Sequence, residues 1–307
     1  MRAFYCHHFE LPLPEGHRFP MAKYGRLFAR VQEARQRLGV ELCEPSPISR
    51  EDLQRVHCPD YVGRVFDGRL SEAEQRRIGF PWSPAMVERS RRSVGGTVEA
   101  LCAALSDGIA VNLAGGTHHA GFARGAGFCV FNDAVVALRA AQHRGLLQRA
   151  LIVDLDVHQG DGSAALCAAD PTIYTLSIHG QRNYPAVKPA SDLDIGLPDG
   201  TSDAAYLDCL ARALPVAIEA ARPDAVVYLA GADPFVGDKL GFLALSKAGL
   251  AERDRQVIGQ AGSRGLPLAI CMAGGYAEQV DDIVDIHFAT VQAAARAAAD
   301  SPARLLA

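Results

Sequence analysis

Acidic and imidazole side chains alternate with apolar ones in Asp154-Leu155-Asp156-Val157-His158. The apolar run Leu151-Ile152-Val153 precedes them and Gln159-Gly160-Asp161-Gly162 follows. In extended backbone alternate side chains share a face, so Asp154, Asp156 and His158 are expected together at a strand end. Two carboxylates and an imidazole grouped there are costly without a compensating cation, and a metal ion is the simplest one. A lone Asp ends a second apolar run, Tyr228-Leu229-Ala230-Gly231-Ala232-Asp233-Pro234. Asp156, His158 and Asp233 make an Asp, His, Asp set that leaves coordination positions open, the pattern of a catalytic zinc site. On this stretch alone, a cap of the turn before Pro234 explains Asp233 equally well.

Two more features could carry chemistry. His118 and His119 sit on the loop Gly115-Gly116-Thr117 and suit proton transfer near neutral pH. Each needs an acid to set its tautomer, and Asp154 and Asp161 are available. Gly274-Gly275-Tyr276 places a phenol on a tight turn, where the hydroxyl can donate to a developing oxyanion. The pair His7-His8 lacks a following Asp and a strand-end setting, and carries little weight.

The elements that must position these groups alternate. Strands are expected at Arg2 to Cys6, Ala110–Leu113, Ala150–Asp154, Thr172–Ser177, Ala225–Ala230 and Leu268–Met272. Helices are expected from Met21 to Leu38, after the caps Ser49 and Ser83, over Asn132 to His143, from about Ser163, around Leu207–Ile218, and after Ser246 toward Gly262. The stretch from His179 to Thr201 has no clear period. Continuous apolar strands between amphipathic helices imply an α/β fold, one mainly parallel sheet with helices on both faces. Ligands of such sheets bind beyond the carboxyl ends of the strands, where all the unusual polar residues fall.

Composition bounds the rest. The 307 residues are 49% hydrophobic with formal net charge −4, enough for a large core and no case for nucleic acid or an anionic membrane. No linker divides the chain, so one domain over 1–307 is expected. Arg89-Ser90-Arg91-Arg92 reads as a solvated helix face. None of the eight cysteines forms CxxC, so they read as buried thiols of a reducing compartment. With no secretory signal and no long apolar run, a cytoplasmic protein is expected.

Gly116-Thr117-His118-His119-Ala120, Gly127-Phe128-Cys129-Val130-Phe131-Asn132-Asp133, the stretch Asp154 to Gly162, and Gly274-Gly275-Tyr276 resemble, in order, the motifs of the histone deacetylase family, within the arginase/deacetylase fold. The resemblance runs from about His57-Cys58-Pro59-Asp60-Tyr61 to Tyr276. Gly237-Asp238-Lys239-Leu240-Gly241 and Gln159 look most like the class IV branch and its bacterial relatives.

The resemblance implies zinc on Asp156, His158 and Asp233. It makes His119, supported by Asp161, the general base and later acid. His118, supported by Asp154, is mainly electrostatic, and Tyr276 polarises the carbonyl. Phe128 and Tyr184 wall a channel for a lysine-like stem, and the Gly127 carbonyl accepts the substrate amide N–H. Ser177 and Ile178, with backbone around Asp154, Asp156 and His158, resemble a monovalent-cation site, usually potassium. Arg26 is matched to an arginine behind the pocket; Asp67 falls in the part of the chain where many members carry an acidic loop residue that grips the substrate, and Asp67-Gly68 also reads simply as a turn. Position 159 is Gln where many relatives have His, and position 273 is Ala in a turn that is often all glycine.

The implied reaction removes an acyl group from an acylated lysine. A deacylase of small amines such as acetylpolyamines would share every catalytic residue, and the class IV likeness brings longer acyl chains into view. A two-metal ureohydrolase is disfavoured, because Gly160 and Phe235 stand where bridging carboxylates are needed. The complete residue set disfavours a catalytically silent binding protein. Fe(II) or Co(II) suits the hard donor set as zinc does. Oligomeric state is not readable.

Overall fold

A computed structural model describes residues 1–300. In chain order the elements begin β1 (Arg2–Phe4), α1 (Ala22–Leu38), β2 (Glu41–Cys43), α2 (Arg50–Gln54), α3 (Pro59–Phe66), α4 (Glu72–Ile78), α5 (Pro84–Asp107), β3 (Ile109–Asn112) and α6 (Asp133–His143). They continue with β4 (Ala150–Asp154), α7 (Asp161–Cys167), β5 (Ile173–Gly180), β6 (Leu193–Leu197), α8 (Asp203–Ala221), β7 (Ala225–Leu229), α9 (Lys247–Gly262), β8 (Leu268–Cys271) and α10 (Val280–Asp300). The strands form one sheet in the order β2-β1-β3-β8-β7-β4-β5-β6, and every pairing is parallel.

Local chemistry sets the boundaries. Ser83, Asn132 and Ser246 each accept a backbone N–H of the first helical turn, and Pro84 takes the first position of α5. Gly39 ends α1 in the left-handed conformation. Each strand sends alternate residues to opposite faces. Leu151 and Val153 join Leu27, Val31, Leu210, Val257 and Val291 in one core, while Ala150 and Ile152 join Val98, Leu101, Val135 and Leu138 in the other. Two apolar layers thus clamp the sheet, as a parallel sheet requires.

The register aligns the strand ends. Asn112 pairs with Cys271, Cys271 with Leu229, and Leu229 with Asp154, so β3, β8, β7 and β4 finish level and side by side. All the catalytic candidates leave the sheet from these four central strands.

Several expectations change. The aperiodic stretch after His179 contains β6, an edge strand whose Leu193, Ile195 and Leu197 alternate with Asp194 and Gly196. β2 and α4 were not anticipated, and the first strand stops at Phe4. Arg89 is not on a solvated face. It is buried, donates to the carbonyls of Cys6 and Phe9, and lies 4.2 Å over the Tyr24 ring, so it ties down the loop after β1. All eight cysteines are free thiols; Cys6, Cys129, Cys167 and Cys271 are buried and the others partly so. Among the described residues, no helix is long and apolar enough to cross a membrane.

Candidate active site

The loop after β3 brings in the two histidines. Its shape depends on Asp133, buried at the start of α6, whose carboxylate accepts the N–H groups of Gly116 (2.9 Å) and Thr117 (2.6 Å) and the hydroxyls of Thr117 (2.8 Å) and Thr97 (2.6 Å). The His118 carbonyl is held by the N–H of Ser163 and the side chain of Asn132. Each imidazole then meets one acid: His118 Nδ1 lies 2.6 Å from Asp154, and His119 Nδ1 lies 2.6 Å from Asp161. The Nε2 atoms of the two rings are 3.2 Å apart.

Burial disfavours charge on both rings, and their neighbours drive them apart. Burial works against a charge on His118, but Asp154 and Asp156 outweigh it and raise its pKa to about 9. His119 is pushed down to about 4 by burial and by the charge of His118, with Asp161 opposing. The two acids thus favour a charge on His118, and burial beside that charge favours the neutral form of His119.

Asp156, His158 and Asp233 converge below these rings, with one ligating atom of each within 4.8 Å of the others. His158 Nδ1 lies 3.0 Å from Asp156 Oδ1 and 3.3 Å from Asp233 Oδ2. Asp233 Oδ2 is buried and, apart from that approach, has no donor. Burial opposes charge on His158, yet the two carboxylates lift it to about 10; burial and the Asp156 charge raise Asp233 to about 7. The spot draws positive charge strongly. Hard oxygen and imidazole donors around an orphaned carboxylate oxygen fit a divalent metal ion. Gly274 makes room for the cluster: a Cβ there would lie 2.0 Å from Asp233 Oδ2 and 2.5 Å from Asp156 Oδ2.

Tyr276 follows on the β8 turn. Its N–H donates to Asp238 Oδ2 (2.6 Å), and Asp238 Oδ1 accepts from Leu240 and Gly241, so Asp238 fastens the loop after β7 to the tyrosine. Ala273 keeps a left-handed φ of 53°, and its methyl leaves no space for a side chain at position 116. Behind the turn lies Lys23, buried, with Nζ 3.3 Å from the carbonyls of Ala273 and Gly275 and 5.4 Å from the centre of the Tyr276 ring.

Lys23 takes the place expected for Arg26, which is exposed and pairs with Asp281. Position in α1 explains the difference, because Lys23 shares the buried stripe with Leu27, Val31 and Ala34, and Arg26 does not. Asp67 pairs with Arg69 and Arg50 and does not line the channel.

A cavity of about 550 Å³ opens above the cluster, and an inner chamber of about 40 Å³ lies beneath it; His119, Gly127, Phe128, His158 and Tyr276 line both and form the neck. Phe128 holds a φ of 64°, and its N–H donates to the Ile78 carbonyl (2.6 Å). Tyr184, half exposed, stands edge-on to His119 with ring centres 4.9 Å apart. Gln159 points away and donates to Pro189 and Asp194. Ser177 and Ile178 are buried on β5, Ser177 beside Asp154, and the Ser177 hydroxyl lies 3.0 Å from His179.

Comparison with known proteins converges on one family. The Histone deacetylase domain profile matches residues 17–291. An uncharacterized protein of Picosynechococcus sp. is 46% identical over 276 residues, covering 90% of this chain and 92% of that one. Histone deacetylase 2 of Arabidopsis thaliana is 31% identical over 277 residues, covering 85% of this chain and 70% of that protein. The crystal structure of the HDA15 HD domain shares the fold with a TM-score of 0.78 at 21% identity, over 98% of this chain and 95% of that one. With the profile spanning the stretch that carries both histidines, the Asp-His-Asp cluster and the tyrosine, the chain belongs to the histone deacetylase family.

Proposed function

We propose that this protein is a zinc-dependent amidohydrolase that removes an acyl group from acylated lysine. Membership of the family supports a deacetylase activity. The observation that carries the finer reading is the convergence of Asp156, His158 and Asp233 at the neck of a channel, beside a histidine kept neutral. Asp156, His158 and Asp233 would hold zinc, or iron(II) or cobalt(II), and the bound ion would supply a Lewis acid for water and for the acyl carbonyl.

The chain's own groups do the remaining work. His119 takes a proton at Nε2 from the attacking water, while Asp161 fixes the Nδ1–H and orients the ring. His118, charged and held by Asp154, offsets the negative charge that develops beside it. The Tyr276 hydroxyl donates to the oxyanion, a contact whose loss typically costs about 10²–10³ in rate. His119 then returns the proton to the leaving amine, so that a carboxylic acid and a primary amine are released. Phe128 and Tyr184 exclude water along the stem, and the Gly127 carbonyl accepts the amide N–H. Ser177, Ile178 and backbone of the segment from Asp154 to His158 are the groups that would hold a monovalent cation such as potassium.

The test is a panel of acyl-lysine peptides and acylated polyamines of several chain lengths. Tyr276→Phe should keep its metal and lose deacylation by about 10²-fold or more. Full activity in an Asp156→Ala/His158→Ala variant would overturn the reading.

A further inference from the structure

The channel mouth carries a charge pattern that the catalytic machinery does not use. Four arginines line it, Arg18, Arg76, Arg77 and Arg182, and among the described residues no Asp or Glu does. This contrasts with the whole chain, where 35 acidic residues outnumber 31 Lys and Arg. The arginines also arrive independently. Arg18 comes from the loop before α1, Arg76 and Arg77 from the last turn of α4, and Arg182 from the segment after β5.

Their partners divide them. Arg76 is paired with Glu72 of its own helix and Arg182 with Asp199, both pairs at the surface. Arg18 and Arg77 are exposed and have no acidic partner among the described residues. Arg77 is also fixed against the channel wall, since its carbonyl accepts the Gly127 N–H (3.1 Å) and that of Ile78 accepts the Phe128 N–H. Arg18 is held by its neighbours, because His17 reaches the Gly79 carbonyl (2.9 Å) and Phe19 packs 5.1 Å from the Phe128 ring. Two unneutralised guanidinium groups thus stand on rigid anchors around the entrance. Asp67, the acid available to grip a cationic or amide-bearing substrate, is off the channel and already paired.

We infer that the preferred substrate carries negative charge next to its acylated amine, and that Arg18 and Arg77 select it. The inference rests on the deacylase reading and narrows it. The amide enters the neck while an anionic group, a carboxylate or phosphate, remains at the mouth. Glutamate or aspartate flanking an acyl-lysine would supply it, and so would the far end of a small acylated ω-amino acid. A cationic acylpolyamine is repelled at the same place. Charges at a rim act mainly on encounter and are screened by salt.

The experiment compares kcat/KM for peptides that share a central acetyl-lysine and carry Glu, Gln or Lys on both sides, beside 6-acetamidohexanoate and acetylputrescine. Peptide binding to Tyr276→Phe is measured in parallel by fluorescence anisotropy. At low salt the Glu peptide should exceed the Lys peptide by about tenfold or more, and at about 0.5 M salt the ratio should collapse. Arg18→Glu/Arg77→Glu should reverse the order. Arg37→Glu/Arg264→Glu, the same charge change at the opposite end of the sheet, should leave it intact. A preference seen only between the two small amides assigns the anion to a small molecule; one seen among the peptides assigns it to acidic sequence. Equal kcat/KM and binding across all charges, or an unchanged order in the mouth variant, overturns the inference while hydrolysis of the Gln peptide leaves the deacylase reading standing. No turnover of any acylated amine by metal-loaded protein overturns that reading, and this inference with it.

Discussion

Gly274→Ala should abolish binding at the proposed metal site while leaving the fold in place. Gly274 does not have a positive φ, so alanine fits its backbone and the perturbation is a single methyl group. That methyl would lie 2.0 Å from Asp233 Oδ2 and 2.5 Å from Asp156 Oδ2, where real Cβ contacts essentially never fall below 3.0 Å. The nearer carboxylate would have to withdraw by about 1 Å, several times the roughly 0.2 Å that metal–ligand distances tolerate. Neither can move freely. Asp233 Oδ1 accepts the Val157 N–H (2.9 Å), and Asp156 Oδ2 accepts the N–H of Gly274 itself (2.8 Å). A loss of at least about 100-fold in metal affinity follows, close to 3 kcal/mol. Zinc titration by calorimetry, with metal content measured after dialysis, reads this directly. Gly275→Ala is the control for general damage, because its φ of 151° disfavours any side chain and its Cβ would press on the Ile283 methyl at 2.8 Å, not on a carboxylate. It should lower thermal stability and retain stoichiometric metal. Wild-type zinc affinity in Gly274→Ala would refute the proposal that these carboxylates are the ligands.

Three further outcomes are expected. Asp133→Ala leaves two loop N–H groups and the Thr97 hydroxyl without their acceptor, while the Thr117 hydroxyl keeps the Phe131 carbonyl; at about 1–3 kcal/mol for each unsatisfied buried group, denaturant unfolding should show a loss of about 3 kcal/mol or more, and a change below 1 kcal/mol would count against Asp133 as the loop's anchor. Zinc added to metal-free protein at about 100 times its Kd should stabilise the fold by about 2.7 kcal/mol, and Asp233→Asn should abolish the shift. Acid should destabilise the fold through His57, which uses both ring nitrogens as a neutral imidazole, Nδ1 toward the Gly121 carbonyl (2.9 Å) and Nε2 accepting from Asn132 N–H (2.9 Å). Burial lowers its pKa to about 4, so below about pH 6.5 the unfolded chain binds the extra proton; stability is intact above that pH and falls by about 3 kcal/mol as pH drops toward 4. Urea unfolding at pH 7 and pH 5 should show a shallower loss in His57→Asn, and equal slopes in the two proteins would contradict it.

The strand ends were legible because apolar runs stop at polar residues, and a parallel sheet collects such stops on one edge. What stayed hidden depended on rotation or on distant partners. Lys23 sits four residues before Leu27 on the apolar stripe of α1, a spacing visible in the sequence but overlooked beside Arg26. Arg89 lies within a cluster that looks solvated until the loop after β1 folds over it. Asp238 stands in the stretch Gly237 to Gly241, yet its task of gathering the N–H groups of Leu240, Gly241 and Tyr276 exists only once two loops meet. The edge strand β6 does alternate, but Gly196 and the surrounding Pro, Asp and Ser obscure it. The arginine mouth is assembled from three separate segments, which no local pattern reveals.

The alternation of Asp154, Asp156 and His158 turns out to serve a different geometry from the extended one that first accounts for it. β4 ends at Asp154, and the chain then bends. Asp154 Oδ1 accepts the Asp156 N–H (3.2 Å), and Asp156 Oδ1 accepts the His158 N–H (3.0 Å). Each carboxylate spends one oxygen on the backbone two residues ahead, as Asx turns do. Asp154 keeps its second oxygen, Oδ2, for His118, whereas Asp156 Oδ1 also meets His158 Nδ1 at 3.0 Å and its Oδ2 accepts the Gly274 N–H. Leu155 and Val157 remain fully buried between them and anchor both bends in the core. A straight strand would have spaced the two acids by roughly 6–7 Å. Two successive turns instead aim one acid at the histidine pair and the other at Asp233 and His158. The spacing of two is therefore a requirement of the turns, and through them it separates the acid paired with His118 from the acid of the proposed metal cluster.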